Sequence, residues 1–300
     1  MFERLRAEGQ IVHYFPNPGN AGDALIMLAA VRLFSKYRVP YVIEKTLVGF
    51  NPAGKVVVYG GGGNLGSESS PAAEFLTHCN SKSSLSVLLP HTVTGCEQLL
   101  RSLGPGTVLY CREVPSYQHV VAHAGGCEIA LAEDLALQLD AEEILTRSPP
   151  FSVAGRLLRR LFSDLANRPG RQALLPKGPT VSYFKDELLR TRTLYRGDCL
   201  ICMRSDHERT PTPVPYGNWD LPARIPFAYE DVRSAEWACH TLLTRVKHYR
   251  EVRTNRLHVT IAAALLGKSV RMYANSYYKN RAVFEFSLRH RFPCVQWEDS

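Results

Sequence analysis

Arg204 and Arg256 each follow a short β-rich run, and His258 lies two residues beyond the second. Arginine keeps its charge and offers a planar fork of donors to a carboxylate or phosphate. Histidine exchanges a proton near neutral pH. Two arginines and a histidine at adjacent strand ends predict a compact cationic pocket for a small dianion or trianion. Asn275, Ser276 and Lys279 follow the next apolar run and would add donors. The plainer alternative is three unrelated sets of surface cations.

The first half of the chain holds a second group of candidates. Asn17-Pro18-Gly19-Asn20-Ala21-Gly22-Asp23 joins a strand to a helix. It reads either as a turn capped by Asp23 or as a loop that offers helix N–H groups to an anion or hydroxyl. Gly61, Gly63 and Gly66, with Asn64 between them, satisfy GxGxxG after a strand. A dinucleotide site would need a carboxylate at the end of the next strand, and that strand ends at Leu89-Pro90-His91. The run is better read as a glycine loop that brings backbone close to another ligand. No GxxxxGK[ST] occurs. His91 is either a binding residue or a satisfied structural histidine. Arg112 and Glu113 either bind or neutralise each other, and Asp134 reads as a helix cap.

Strands are expected at 10–15, 41–44, 55–59, 85–89 and 107–111. Helices are expected at 23–37, 71–79, 97–103 and 115–124, from their apolar periodicity. This alternation predicts a parallel sheet covered on both faces. Residues 147–178 break the rhythm with Pro149-Pro150, Pro169-Gly170 and Gly178-Pro179. Within them Leu157, Leu158, Leu161, Phe162 and Leu165 form one face of a helix, with Arg156, Arg159 and Arg160 on the other. This reads as a linker with a basic amphipathic helix, able to touch an anionic membrane surface. The alternation resumes with strands at 198–203, 251–254 and 269–273. The helices there are 234–249, capped by Ser234, then 259–266 and 279–288. The expected organisation is α/β with two lobes and a ligand cleft: 1–147, a linker at 148–178, and 179–300.

At 300 residues, 45% hydrophobic and 21% charged, the chain has the composition of a globular protein, not of a disordered or coiled-coil one. Its net charge is 36 − 28 = +8, which invites an anionic partner. Nucleic acid is not expected, because the cations sit at strand ends and not in a basic stripe with stacking aromatics. The charged opening Met1-Phe2-Glu3-Arg4 lacks a signal peptide's apolar stretch. No run approaches a membrane span, so a cytoplasmic protein is expected. The eight cysteines then read as free thiols. Cys199 and Cys202 form a CxxC inside an apolar run without a second ligand pair, which favours core packing over zinc or redox use.

Taken in order, these residues resemble a known family. Asn20-Ala-Gly-Asp23-Ala-Leu-Ile26, Gly60–Gly63 with Asn64-Leu65, Leu89-Pro90-His91-Thr92, Cys111-Arg112-Glu113 and Asp134 come first. Arg204-Ser205-Asp206-His207-Glu208, Thr254-Asn255-Arg256-Leu257-His258 and Tyr273-Ala274-Asn275-Ser276-Tyr277-Tyr278-Lys279-Asn280 follow. The pattern is similar to that of the polysaccharide pyruvyltransferase family over residues 10–290. The resemblance implies a GT-B-like fold with two Rossmann-like lobes. It implies phosphoenolpyruvate as donor and a pair of sugar hydroxyls as acceptor, giving a pyruvate ketal in exopolysaccharide or cell-surface glycan biosynthesis. Carried over by motif, Arg204, Arg256 and His258 bind the donor, joined by Asn275, Ser276 and Lys279. Asn20, Asp23, Asn64, His91, Arg112 and Glu113 fall on the acceptor or cleft side. Ser205 is often threonine in relatives, and the proline-rich linker lies outside the family pattern.

On this reading His258 is the general acid, and the arginines hold the anion and stabilise departing phosphate. The base for the sugar hydroxyl stays open among His91, Asp23 and Glu113. No cofactor or metal is expected. A lipid-linked acceptor would fit a peripheral position at the inner face of the plasma membrane. Alternatives are a GT-B glycosyltransferase that uses a nucleotide sugar, and a non-catalytic glycan-binding protein.

Overall fold

The computed structural model describes residues 1–147, 198–206, 208–210, 213–225 and 227–299. The linker expected at 148–178, with Arg156, Arg159 and Arg160, lies outside the described residues.

The β-branched run ending at Tyr59 forms β3, numbered in chain order after β1 (Val12–Phe15) and β2 (Tyr41–Ile43). β3 (Val56–Tyr59) is buried along its whole length. A strand with no polar face belongs in the middle of a sheet covered on both sides. β1 flanks it on one side and β5 (Leu85–Val93) on the other, both parallel to it. β2 lies outside β1, while β6 (Thr107–Cys111) and β7 (Glu128–Leu131) lie beyond β5.

Two expectations change here. The glycine run, read as a loop, contains a short strand: Gly62–Leu65 is β4, paired with the far end of β5. β5 also continues through Pro90 to Val93. Proline cannot donate to a ladder, and the register with β6 shifts between Leu88 and His91.

A second parallel sheet has the order β11-β10-β9-β8. It contains β8 (Cys199–Cys202), β9 (Glu251–Thr254), β10 (Ser269–Tyr273) and β11 (Val295–Glu298). The CxxC lies within β8 with Cys202 fully buried, and all eight cysteines are free.

Around the first sheet lie α1 (Phe2–Ala7), α2 (Ala21–Lys36), α3 (Pro71–Cys79), α4 (Glu97–Ser102), α5 (Val114–His123) and α6 (Ala141–Thr146). With the second sheet come α7 (Val232–Lys247), α8 (Leu257–Leu265) and α9 (Lys279–Val283). Helix α2 is apolar nearly all round, and such a helix must be buried on all sides. It packs against α7 and α8, and one apolar core runs from the first sheet through α2 into the second. The elements that carry the candidate residues are thereby held to one another.

Two helix starts differ from the sequence reading. Asn20, not Asp23, is the N-cap of α2; Asp23 completes a capping box by accepting the Asn20 N–H at 2.9 Å. α7 is capped by Asp231, which accepts from the Arg233 N–H at 3.1 Å. Ser234 instead receives the Ala228 N–H at 2.9 Å. Among the described residues, no helix is long and apolar enough to cross a membrane.

Candidate functional site

Parallel strands bring their C-terminal ends to one edge of a sheet, where open α/β folds bind ligands. In this chain the residues after β1, β3, β6, β8, β9 and β10 meet around one cavity of about 160 Å³. The first sheet contributes Asn17, Asn20, Asp23, Asn64 and Arg112 to its wall. The second contributes Arg204, Glu208, Arg256, His258 and Lys279.

The second-sheet wall is ionic. Arg256 Nε donates to Asp220 Oδ1 at 2.8 Å, and its Nη2 lies 2.5 Å from Asp220 Oδ2 and 2.9 Å from Asp206 Oδ2. Arg204 grips Asp206 through Nε and Nη2 at 2.9 and 3.0 Å. Its Nη1 lies 2.8 Å from Glu208 Oε2, the oxygen that also accepts from Lys279 Nζ at 2.6 Å. The expected cationic pocket is therefore a chain of ion pairs. The reason is desolvation: a buried charge without a partner costs several kcal/mol. Burial would raise the Asp206 carboxyl, but Arg204 and Arg256 outweigh it and hold it at about 2. Burial lowers the Lys279 ammonium to about 8; Arg112 and Arg204 add to the effect, and Glu208 opposes it.

The first-sheet wall is built from amides. Asn17 Oδ1 accepts from Tyr59 Oη at 2.9 Å and from Asn64 Nδ2 at 2.7 Å, and Asn17 Nδ2 donates to Asp23 at 3.0 Å. Arg112, buried to 2% exposure, donates to Thr92 Oγ1 at 2.9 Å and to Asp134 Oδ2 at 2.8 Å. Glycine is required at 63, where an added Cβ would sit 2.7 Å from Arg112 Nη2. It is also required at 22, where a Cβ would sit 2.6 Å from His258 Nδ1.

The two walls meet at Asp134. This buried carboxylate caps the short 3-10 turn Leu135–Gln138, as its sequence context predicts. Its Oδ2 also lies 3.3 Å from His258 Nε2, across from Arg112. Burial would raise its carboxyl, yet His258 and Arg112 hold it well below the usual carboxylate range.

Four candidates do not reach the cavity. His91 is fully buried behind Asn64, with Nε2 at 3.1 Å from the Asn64 N–H and 2.7 Å from its Oδ1. Burial, with Arg112 nearby, lowers it to about 3 and keeps it neutral. Glu113 is buried against Ser116, whose hydroxyl donates to it, and burial raises its carboxyl to about 7. Asn275 is buried at the end of β10, where its Oδ1 accepts from the Asn280 N–H at 3.3 Å. Ser276 is exposed, and its N–H donates to the Glu208 carbonyl at 3.2 Å.

Sequence reasoning missed Asn17 and Asp220. Asn17 lies in the loop after β1, two residues past the strand, and that position is the available signal. Asp220 accepts from Arg256 and also from the Ser205 N–H and Oγ at 2.9 and 2.7 Å. It reaches β8 because the Trp219 N–H donates to the Ile201 carbonyl at 2.9 Å, a pairing no local pattern announces. Among the described residues, no group of three or more histidine, cysteine, aspartate or glutamate side chains is placed to hold a metal ion.

An α/β chain with two parallel sheets and a polar cavity at their strand ends belongs to a broad class of ligand-binding folds. A functionally uncharacterized protein from Klebsiella pneumoniae subsp. pneumoniae shares this fold, with a TM-score of 0.71 at 23% identity. The match covers 100% of this chain and 97% of that one. No curated protein matches the sequence. The family model for polysaccharide pyruvyl transferase matches residues 20–277, and the chain belongs to that family. It is a transferase, with a pyruvyl donor and a saccharide acceptor.

Proposed function

We propose that this transferase moves the pyruvyl group of phosphoenolpyruvate onto two hydroxyls of one saccharide, forming a pyruvate ketal. The observation that carries this reading is the second-sheet wall. Arg204, Arg256 and Lys279 already bind carboxylates around one small cavity. The donor has one carboxylate and one phosphate, and it would replace Asp206 and Glu208 as their partners.

On this reading His258 is the general acid. It gives a proton to the donor's methylene carbon, and the C2–C3 π pair forms the new C–H bond. C2 becomes electrophilic and is attacked by a first acceptor hydroxyl. The C2–O bond to phosphate then breaks with both electrons leaving on phosphate, and the second hydroxyl closes the ketal. Of the two hydroxyl protons released, one balances the proton spent by His258 and the other leaves with phosphate. Arg204 and Arg256 stabilise the departing phosphate. Among the base candidates, only Asp23 lines the cavity. The amide wall of Asn17, Asn20 and Asn64 suits hydroxyls of the acceptor.

The two sheets support a GT-B-like arrangement with 1–147 and 179–300 as lobes. Eight free cysteines support a reducing, cytoplasmic compartment. A lipid-linked acceptor and peripheral contact with the inner membrane face extend the same reading.

Purified protein with phosphoenolpyruvate and acceptor glycan should release inorganic phosphate. The glycan should gain the mass of one pyruvate ketal. Phosphate released only from a nucleotide sugar in the presence of a phosphatase would overturn the proposal.

A further inference from the structure

His258 is held from two sides. Its Nε2 lies 3.3 Å from Asp134 Oδ2, while Gly22 on α2 packs against its Nδ1 edge. Asp134 is 1% exposed, and its other ligands are fixed: Arg112 Nη1 on Oδ2 at 2.8 Å and the Ala136 N–H on Oδ1 at 3.0 Å. It is thus clamped by residues of the first sheet and engages a histidine that belongs to the second. A carboxylate held this firmly fixes the orientation and tautomer of the imidazole it faces.

We propose that Asp134 is a positioning residue for His258: its Oδ2 accepts from Nε2–H and sets the orientation of the imidazole at the cavity. The proposal rests on the reading of His258 as general acid. The other charged groups facing this part of the cavity are Asp23 from α2 and Arg112 after β6. From the second sheet they are Arg204, Glu208, Arg256 and Lys279. All of these are present equally in wild type and in an Asp134 variant, so a change on substitution reports the Asp134 contact.

The first test needs no activity. Histidine nitrogen NMR of the wild type, with His258 assigned through His258→Gln, should show the neutral ring as the Nε2–H tautomer. In Asp134→Asn the fold and the Arg112 bond can persist while the charge is lost. The preference for the Nε2–H form should then weaken, read as convergence of the two ring-nitrogen shifts. The Nδ1–H tautomer in wild type, or unchanged nitrogen shifts in the variant, overturns the proposal. The wild-type arm can overturn it even if the variant does not fold.

The second test reads turnover. Asp134→Asn should lower kcat about 10²-fold, with KM for phosphoenolpyruvate nearly unchanged. The alkaline limb of kcat should move, a change that lost packing alone would not cause. Asp134→Glu should restore part of kcat. A purely structural role would lower thermal stability and leave that limb in place, which refutes the proposal. If the NMR results hold but wild type releases no phosphate from phosphoenolpyruvate, the reaction assignment fails and the pairing stands.

Discussion

The two walls of the cavity solve opposite problems. The first-sheet wall presents Asn17, Asn20 and Asn64 in a network of amide hydrogen bonds. Such groups need no counter-charge to be buried, and each contributes about 1 kcal/mol. The second-sheet wall presents three cations that survive burial only because Asp206, Glu208 and Asp220 sit against them. Neutral amides suit an uncharged polyol, and displaceable ion pairs suit a small anion. The difference predicts that damage to the ionic wall costs stability and donor binding together, whereas damage to the amide wall costs acceptor binding alone.

The largest expected effect comes from Arg256→Ala. Arg256 is 4% exposed and Asp220 6%. Removing the guanidinium strands a buried carboxylate, which costs about 3–5 kcal/mol. Thermal melting should show this, and phosphate release should fall below detection. Arg256→Lys keeps a charge but not the two-pronged bond, so it should retain the fold better than the activity. A full rate in either variant would break the comparison at its strongest point.

Lys279 supplies the next effect. Its ammonium is lowered from 10.5 to about 8, by burial first and then by Arg112 and Arg204. A phosphate ester completes its second ionisation near ~6, so the donor's charge is constant above neutrality. Affinity for phosphoenolpyruvate should therefore fall as pH rises through about 8, by roughly tenfold for one charged hydrogen bond. Folding stability should move the other way. The folded chain binds fewer protons than the unfolded one between about 8 and 10.5, so this group's share of stability rises with pH there. Calorimetric titration and melting curves across pH 7–10 would separate the two. Lys279→Arg should abolish the alkaline loss of affinity.

How much of this was legible in the sequence also differs between the walls. Arg204, Arg256 and Lys279 follow apolar runs directly, and a strand's C-terminal end fixes where the next few residues go. Their partners were less visible. Asp220 lies well along the chain from β8 and returns to it through bonds from Trp219 to Ile201 and from Leu221 to Cys202. Asp134 was read as a cap, which it is, but its second contact crosses to the other sheet. The amide wall was legible as a loop and not as a network, because Asn17 acts through Tyr59 and Asn64 on β3 and β4. His91 and Glu113 stood at strand-end positions like the rest. The extension of β5 to Val93 and the start of α5 bury both. Spacing reports the strand end; it does not report which way a side chain turns there.

Asn64→Ala tests the amide wall directly. Asn64 Nδ2 donates to Asn17 Oδ1, and its backbone N–H meets His91. Truncation removes the first, together with the 2.7 Å bond between Asn64 Oδ1 and His91 Nε2, and keeps the backbone contact. KM for the acceptor glycan should rise about tenfold, the value of one or two neutral hydrogen bonds. Affinity for phosphoenolpyruvate, measured without acceptor, should stay at the wild-type value. A loss of donor affinity would mean that the walls do not divide their work as their chemistry implies.

Glu113→Gln carries the smallest effect and the clearest sign. Glu113 sits directly after Arg112, yet it is buried, its Oε2 has no hydrogen-bond partner among the described residues, and it does not line the cavity. Burial raises its carboxyl from 4.5 to about 7, with Ser116 opposing. The folded chain therefore holds this proton more tightly than the unfolded chain does. Its contribution to stability is fully present below about 4.5 and is lost as pH rises through about 7. At pH 8 the wild type carries a desolvated carboxylate that glutamine would replace with a neutral group of the same shape. Glu113→Gln should melt higher than wild type at pH 8, by about 2–4 °C for each kcal/mol recovered, and at the same temperature as wild type at pH 4. Phosphate release should persist, because the carboxyl faces Ser116 and not the cavity. A variant that binds phosphoenolpyruvate normally but no longer turns over would instead make Glu113 the acceptor's base, and the first wall would then supply chemistry as well as hydrogen bonds.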